Sequence, residues 1–208
     1  MATHTSMYIC LLMLGSIFSA SLAKAEITHS AAPISIEGVP NLYLVTTNFY
    51  RSAQPTAEGF RKIVKQRGIR TVIDLRFYDR LDPPLTKDLG VKVDEVPMNP
   101  IVTVFYIETD AVLKALRVLR LSTKKAPTLL HCEDGSDRTG LITALYRIIY
   151  ENWSPAQAIA EMEEPRFGFH YRYWFTIVGY IQSSRNIDLL KQQLGVTSSS
   201  RSQYVLSN

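Results

Sequence analysis

The stretch that decides the fold is LLHCEDGSDRTGL, residues 129–141. Its leucines end a short apolar run that begins at Pro127, which is typical of a buried strand. A polar turn containing Gly135 follows, and the apolar stripe on one side of the next residues predicts a helix. The stretch therefore predicts a strand, a tight turn and a helix, with Cys132 at the strand end and Arg138 at the helix start.

Strands and helices alternate on both sides of this stretch. Thr56 and Gly68 bracket one predicted helix, because a hydroxyl caps a helix start and glycine ends a helix, and Ser154-Pro155 starts another. Further strands are predicted at 42–50, 69–75, 91–96 and 127–130, and further helices carry apolar stripes at 112–119, 141–149 and 174–181. This alternation predicts an α/β fold with a central, mainly parallel sheet flanked by helices.

A length of 208 residues suits a single domain. We place the domain at 41–195, after a signal peptide at 1–25 and a lead-in segment of little periodicity at 26–40. A polar, flexible tail follows at 196–208. Within the domain, the Pro83-Pro84 pair predicts a loop.

The first 25 residues are typical of an export signal. The apolar run Met7 to Phe18 is too short to span a bilayer comfortably, and Ala23-Lys24-Ala25 after it is a typical cleavage site. We therefore expect a periplasmic or secreted protein with no stable membrane span after cleavage. No Lys or Arg precedes the apolar run, which leaves an uncleaved anchor or a start at Met7 as alternatives.

Charge and cysteine content narrow the classes of partner and site. The formal net charge is +4, and loss of Lys24 on cleavage would lower it to +3, a weak preference for anionic substrates. No long Lys/Arg run indicates nucleic acid. Cys10 lies in the signal, so Cys132 would be the single cysteine of the mature chain. This excludes an internal disulfide and a zinc site built on several cysteines.

The loop after the strand predicts a site for a phosphate group. A loop that ends at a helix N-terminus presents successive backbone N–H groups and the positive end of the helix dipole to an anion. Gly135 permits the sharp turn. The residues predicted to bind phosphate in this way are Glu133, Asp134, Gly135, Ser136, Asp137 and Arg138.

The side chains in this loop predict a covalent reaction. The same field favours the thiolate of Cys132, which could attack phosphorus and form a phosphocysteine intermediate. The planar guanidinium of Arg138 can hold two phosphate oxygens in the transition state. Thr139 can place a hydroxyl against the sulfur when the thiolate leaves, and His131 is predicted to order the loop. This chemistry needs no metal and no cofactor.

The sequence HCEDGSDRTG resembles the His-Cys-x5-Arg-Thr-Gly loop of the protein tyrosine and dual-specificity phosphatase superfamily. Residues 49–55 (FYRSAQP) and 73–76 (IDLR) are similar to stretches of small bacterial and plant dual-specificity-like phosphatases. The resemblance implies a tyrosine phosphatase-like fold and a phosphorylated protein as substrate. A phosphoinositide or inositol phosphate substrate is an alternative, as is an inactive phosphate-binding module. Sulfur transfer of the rhodanese type disagrees with the Arg-Thr-Gly that follows the loop.

One departure from the superfamily concerns the general acid. Its usual aspartate lies on a loop upstream of the cysteine, but the corresponding residues 98–106 (MNPIVTVFY) contain no carboxylate. The loop instead resembles the C-S-D-G-W-D-R loop of myotubularin-type phosphatases, where the aspartate before the arginine is a proposed acid. Asp137 is therefore the candidate general acid, with pairing to Arg138 or helix capping as its alternative role. Asp134 would face a substrate hydroxyl, a basic group or solvent.

Other polar residues have two interpretations. Arg51 could reach the mouth of the site or tie the sheet together inside the protein. Residues 165–173 (PRFGFHYRY) could form an aromatic and basic rim or a core segment. Structural roles are predicted for the acidic residues near 98–106, which are Asp94, Glu95, Glu108 and Asp110. Glu161, Glu163 and Glu164 are predicted to lie on the solvated face of the helix that begins at Ser154.

Overall fold

The structure is a computed structural model that describes residues 30–78 and 82–196. The predicted signal peptide, 1–25, and all but the first residue of the predicted tail, 196–208, lie outside the described residues. Within the described part of the chain, no helix is long and apolar enough to cross a membrane.

A six-stranded sheet forms the centre of the molecule, in the order β1-β2-β3-β6-β4-β5. The pairs β3/β6, β6/β4 and β4/β5 are parallel, and β1/β2 and β2/β3 are antiparallel. The predicted α/β class with a mainly parallel sheet is therefore confirmed. The strands are β1 (Ala32–Pro33), β2 (Tyr43–Thr46), β3 (Phe49–Ser52), β4 (Thr71–Asp74), β5 (Lys92–Glu95) and β6 (Thr128–His131).

The predicted strand at 42–50 is two strands of a hairpin, β2 and β3. Both carry aromatic and β-branched residues, so their composition alone does not reveal the turn between them. The predicted lead-in segment also contributes to the fold, because β1 pairs with β2 and the side chains of Ala31, Ile36 and Val39 are buried.

Eight α-helices flank the sheet in the described part of the chain, besides two short 3-10 helices at Pro165–Phe167 and Tyr171–Tyr173. Thr56 caps α1 by accepting a hydrogen bond from Gly59 N, and α1 ends at Gly68, whose φ is +66°. Ser154 and Gln157 form a capping box at the start of α6. The helices are α1 (Ala57–Arg67), α2 (Asp82–Thr86), α3 (Pro100–Phe105), α4 (Thr109–Thr123), α5 (Asp137–Tyr150), α6 (Pro155–Met162), α7 (Trp174–Gln182) and α8 (Ser184–Gln193).

Two short helices occur where the sequence predicts loops. The pair Pro83-Pro84 lies in the first turn of α2, where proline is tolerated. Asn99 caps α3 through its side-chain oxygen, which accepts from Ile101 N at 2.9 Å, and Pro100 occupies the first helical position. The stretch without a carboxylate is therefore a helix rather than an open loop.

Alternate strand residues pack on opposite faces of the sheet. Leu129 of β6 and Val72 of β4 contact a cluster that includes Phe60 of α1. Their neighbours Leu130 and Ile73 lie in the larger cluster on the other face, which α4, α5, α6, α7 and α8 cover. Since β6 is buried on both faces between β3 and β4, Cys132 emerges at the carboxyl edge of the sheet centre, where ligands of parallel α/β sheets bind.

Candidate active site

The loop after β6 carries a run of unpaired backbone donors. Within the described residues, no hydrogen bond is donated by the backbone N–H groups of residues 133–138. Those of Asp137 and Arg138 belong to the first turn of α5, which has no intrahelical acceptor for them. Six adjacent donors without an acceptor form a binding site for an anion at the helix N-terminus.

Three consecutive carbonyl groups of this loop are held by the surrounding protein. The oxygen of Glu133 accepts from Gln54 N at 3.0 Å, that of Asp134 accepts from Asn41 Nδ2 at 2.8 Å, and that of Gly135 accepts from Arg51 Nη2 at 2.7 Å. Because the N–H and C=O groups of a peptide point in opposite directions, these contacts leave the N–H groups for a ligand.

Gly135 is required by both its conformation and its surroundings. Its φ is +68°, a left-handed value that glycine adopts without strain. A Cβ at this position would lie 2.5 Å from Ala53 N and 2.6 Å from Ser52 O. The loop therefore lies directly against the end of β3, and any side chain at Gly135 would displace it.

Arg51 supports the loop from inside the protein. Its side chain is buried, and its guanidinium lies 4.3 Å from the centre of the Phe167 ring. Burial lowers the pKa of Arg51 to about 10, a value at which the side chain remains charged near neutral pH. Of the two predicted positions for Arg51, the interior one is confirmed.

Arg138 lies half-buried at the edge of the sheet. Its Nη1 donates to the carbonyl oxygens of Leu75 at 3.4 Å and Met98 at 3.3 Å, which orient the guanidinium at the ends of β4 and β5. Its other nitrogen atoms have no partner among the described residues, so they are free for two phosphate oxygens. The hydroxyl of Thr139 is also buried without a partner in this part of the chain, in agreement with a role toward a ligand or the sulfur.

His131 is fixed by a buried carboxylate. Its Nε2 lies 2.5 Å from Oδ2 of Asp82 and its Nδ1 lies 3.3 Å from the carbonyl oxygen of Cys132. Asp82 also accepts from Gln54 Nε2 and from Arg76 Nη2. Burial raises the pKa of Asp82, but the hydrogen bond and positive charge of His131, the hydrogen bond from Gln54 and the positive charge of Arg76 lower it overall.

The same cluster has the ligand types of a metal site. Asp74, Asp82 and His131 bring potential ligand atoms within 4.8 Å of one another. However, the Arg76 guanidinium binds Asp74 at 3.0 Å and Asp82 at 3.1 Å, and His131 occupies the remaining Asp82 oxygen. Arg76 thus supplies the positive charge that the two carboxylates need.

Asp137 has a different partner from those predicted. Its Oδ1 accepts from His170 N at 2.8 Å and its Oδ2 lies 2.8 Å from His170 Nδ1. Among the described contacts it neither pairs with Arg138 nor caps α5. The carboxylate instead holds the segment before α7 against the phosphate loop.

The remaining acidic residues near the site either bind neighbouring groups or are exposed. Asp94 pairs with Lys92, and Glu108 accepts from Asn99 N. Glu133 and Asp134 have exposed side chains at the loop. In the aromatic segment, Phe167 and Tyr173 are buried whereas His170 and Tyr171 are exposed, so the segment is partly core and partly surface.

Several functional positions escaped sequence reasoning. Asn41, Gln54 and Asp82 hold the loop, yet they lie 93, 79 and 49 residues before their partners Asp134, Glu133 and His131. No local pattern identifies them. The contact between His170 and Asp137 was also missed, although a histidine in the candidate rim was a signal.

A cysteine at the end of the central parallel strand, an anion site of free N–H groups and an arginine on the next helix define the class of cysteine-dependent phosphatases. The chain belongs to the family described as DSP-PTPase phosphatase fused to NAD+ kinase, whose model matches residues 40–171. The matched range contains the whole loop around Cys132.

Known proteins agree with this assignment. The chain is similar to the dual specificity protein phosphatase TpbA of Pseudomonas aeruginosa, with 30% identity over 150 residues, 71% of this chain and 66% of TpbA, slightly under two thirds of that protein. It is similar to the inositol diphosphatase DSP5 of Arabidopsis thaliana, with 28% identity over 140 residues, 60% of this chain and 61% of DSP5. A crystal structure of P. aeruginosa TpbA in complex with pTyr has a TM-score of 0.67 and 26% identity, covering 81% of this chain and 97% of that one.

Proposed function

We propose that this protein hydrolyses phosphate monoesters, phosphotyrosine above all, through a phosphocysteine formed at Cys132. The observation that carries the proposal is the run of six unpaired N–H groups from Glu133 to Arg138, directly after the cysteine. Such donors bind the three non-bridging oxygens of a phosphoryl group and stabilise their charge during transfer.

The reaction has two steps. In the first, the Cys132 sulfur forms a bond to phosphorus while the bond to the ester oxygen breaks and that oxygen takes up a proton. In the second, a water molecule gives up a proton, its oxygen attacks phosphorus and the sulfur leaves as a thiolate. Arg138 holds phosphate oxygens in both steps, and the Thr139 hydroxyl stabilises the departing thiolate. Asp137, the candidate acid predicted from the sequence, adjoins Arg138 and contacts His170 through both carboxylate oxygens.

The charge of the loop favours a substrate with a single phosphate group. Glu133 and Asp134 are exposed and place two carboxylates in the phosphate loop itself. They repel the additional phosphates of an inositol polyphosphate more strongly than a phosphotyrosine side chain, whose remaining surface is uncharged. The pTyr complex of TpbA supports this substrate class. The relation to DSP5 makes an inositol phosphate the second candidate.

The N-terminal residues support export as the setting of this reaction. An apolar run followed by Ala23-Lys24-Ala25 is typical of a cleaved signal. Cell fractionation and N-terminal sequencing of the mature protein test this part of the proposal. A mature chain that begins at Glu26 outside the cytoplasm is expected, and an intact N-terminus inside the cell would contradict it.

Trapping of the intermediate tests the activity. Wild-type protein, Cys132→Ser and Arg138→Lys are compared on 4-nitrophenyl phosphate and a phosphotyrosine peptide, with acid quenching to detect protein-bound phosphate. We expect turnover and a phosphoenzyme in the wild type only, with a loss of about 100-fold or more in the variants. Arg67→Lys, an exposed substitution at the end of α1, is the control. Equal, negligible turnover by wild type and Cys132→Ser would leave only a phosphate-binding module.

A further inference from the structure

We propose that His170, oriented by Asp137, donates the proton to the leaving oxygen through its Nε2 atom. This inference rests on the proposed phosphatase function and names the group that replaces the aspartate missing from residues 98–106. Asp137 then acts as a positioning residue, and His170 is the catalytic acid.

The hydrogen bonds of Asp137 favour this division of roles. Its two oxygens face two nitrogen atoms of His170, the backbone N and Nδ1, each at 2.8 Å. The backbone N–H can only donate, so Oδ1 of Asp137 accepts from it, and Oδ2 accepts from the Nδ1–H of the ring in the same way. The proton that the ring can exchange is therefore on Nε2, as in other carboxylate–histidine pairs.

The exposed fractions of the two side chains favour the same division of roles. The Asp137 side chain is 8% exposed, whereas that of His170 is 44% exposed. Nε2 of His170 has no partner in the described part of the chain. A leaving group enters from solvent, to which His170 Nε2 is open, while both oxygens of the buried Asp137 carboxylate are already occupied.

The backbone around His170 rests on the phosphate loop. Asn41 Nδ2 donates both to the Asp134 oxygen, at 2.8 Å, and to the Phe167 oxygen, at 3.2 Å. A Cβ at Gly168 would lie 3.1 Å from Ser136 Oγ. Ser136 and Asp137 thus lie against residues 168–170, and Asn41 joins Asp134 to Phe167, so the imidazole is held beside the site rather than on a free loop.

No other described side chain near the loop fits the role as well. Asp82 and Asp74 are buried and bound to Arg76, and α3 carries no carboxylate. Glu133 and Asp134 have no hydrogen-bonded partner that would position their carboxylates. Histidine is also the side chain whose ordinary titration range lies closest to neutral pH, which suits both release and recapture of a proton.

The proton balance is complete with this group alone. In the first step the P–O bond breaks, its electron pair remains on the leaving oxygen, and that oxygen receives the proton of His170 Nε2. In the second step the neutral Nε2 takes a proton from the attacking water as the P–S bond breaks. His170 thereby returns to its starting form.

A series of aryl phosphates with different leaving groups tests the proposal. A general acid contributes about 100-fold or more where the leaving oxygen is basic, and little where it is an activated phenolate. We expect His170→Gln to lose about 100-fold in kcat on phenyl phosphate and on a phosphotyrosine peptide, but less than about 3-fold on 4-nitrophenyl phosphate. Asp137→Asn should show the same pattern to a smaller extent, and added imidazole should partly restore His170→Ala.

Controls separate this inference from the proposed function and from misfolding. Arg172→Gln, which removes a neighbouring exposed cation, should keep the leaving-group dependence of the wild type, and thermal unfolding should show all variants to be folded. A wild type inactive on every ester would overturn the proposed function and this inference together. An active wild type with a His170→Gln variant of unchanged leaving-group dependence would overturn the role of His170 alone. A loss confined to Asp137→Asn would transfer the acid role to Asp137.

Discussion

Arg147 of α5 and Glu161 of α6 form a buried ion pair through two hydrogen bonds, Nη2 to Oε1 at 2.8 Å and Nε to Oε2 at 3.0 Å. Glu161 Oε1 also accepts from Ala31 N at 2.7 Å, and the Arg147 guanidinium lies 4.3 Å from the centre of the Trp153 ring. The pair joins α5, the helix that begins at the phosphate loop, to α6 and to the first described residues. The sequence-based assignment of Glu161 to a solvated face was wrong, because tertiary packing places that side of α6 against α5.

Glu161→Gln should destabilise the protein by about 2 kcal/mol, since it removes the buried charge that two hydrogen bonds join to Arg147, while the ion pair of Arg147 with Glu151 remains. Glu163→Gln is the matched control, because Glu163 is exposed on the same segment and should change the free energy of unfolding by less than about 0.5 kcal/mol. Urea denaturation of both variants measures the difference. Equal effects of the two substitutions would contradict a structural role for the pair.

Gly135→Ala should abolish most of the phosphatase activity. Both Gly135 and Gly68 adopt left-handed backbone angles, with φ of +68° and +66°, but only Gly135 has protein atoms within 4 Å of its Cβ position. Gly68→Ala therefore shares the conformational strain of about 1 kcal/mol without the collision.

Activity on 4-nitrophenyl phosphate and thermal unfolding of these two variants separate strain from collision. We expect Gly68→Ala to keep wild-type kcat/KM and Gly135→Ala to lose about 100-fold or more, because the displaced loop no longer presents its donors. A Gly135→Ala variant as active as Gly68→Ala would show that the close approach to Ser52 is unnecessary.

Asp82→Asn should lower stability by about 3 kcal/mol at pH 7, because it removes the ionised partner of His131 and Arg76. The pKa of Asp82 lies below its ordinary value of 3.8 in the folded protein. A carboxyl with a depressed folded pKa stabilises the protein above its unfolded pKa, and this contribution is lost as the pH falls through the folded value.

The difference in unfolding free energy between wild type and Asp82→Asn should therefore be constant from about pH 5 to pH 7 and shrink below about pH 4. Urea unfolding at a series of pH values measures it. Asp88→Asn, at an exposed position after α2, should show no such dependence. A difference that stays constant down to pH 3 would contradict the proposed charge state of Asp82.

Glu133→Lys combined with Asp134→Lys should shift the substrate preference toward inositol polyphosphates. The change replaces two exposed negative charges at the loop with positive ones, which attract the additional phosphates. We expect kcat/KM for such a substrate to rise about tenfold at low ionic strength and the gain to fall as salt is added. Glu163→Lys combined with Asp188→Lys, two exposed positions away from the loop, is the control with the same change in net charge. A gain of the same size in that variant would remove the loop from the explanation.

The loop around Cys132 was predictable because its information is local. A glycine for the tight turn, an apolar run before it and a helix start after it lie within the 13 residues of 129–141, and each acts on its immediate neighbours. The same holds for Thr56 and Gly68, whose capping roles at α1 were confirmed. These features depend on backbone angles and on hydrogen bonds over a few residues, which the chain carries wherever it folds.

Tertiary structure alone decided what supports and completes the loop. Asn41 and Asp82 reach Asp134 and His131 across 93 and 49 residues, and His170 reaches Asp137 across 33. Such partners meet only because burial of both faces of β6 brings β3 and β4 to either side of it and folds the segment before α7 over the loop. The sequence indicates which side chains are able to bind phosphate or carry a proton. The packing of the apolar surfaces of the sheet and helices determines which of these side chains share one site.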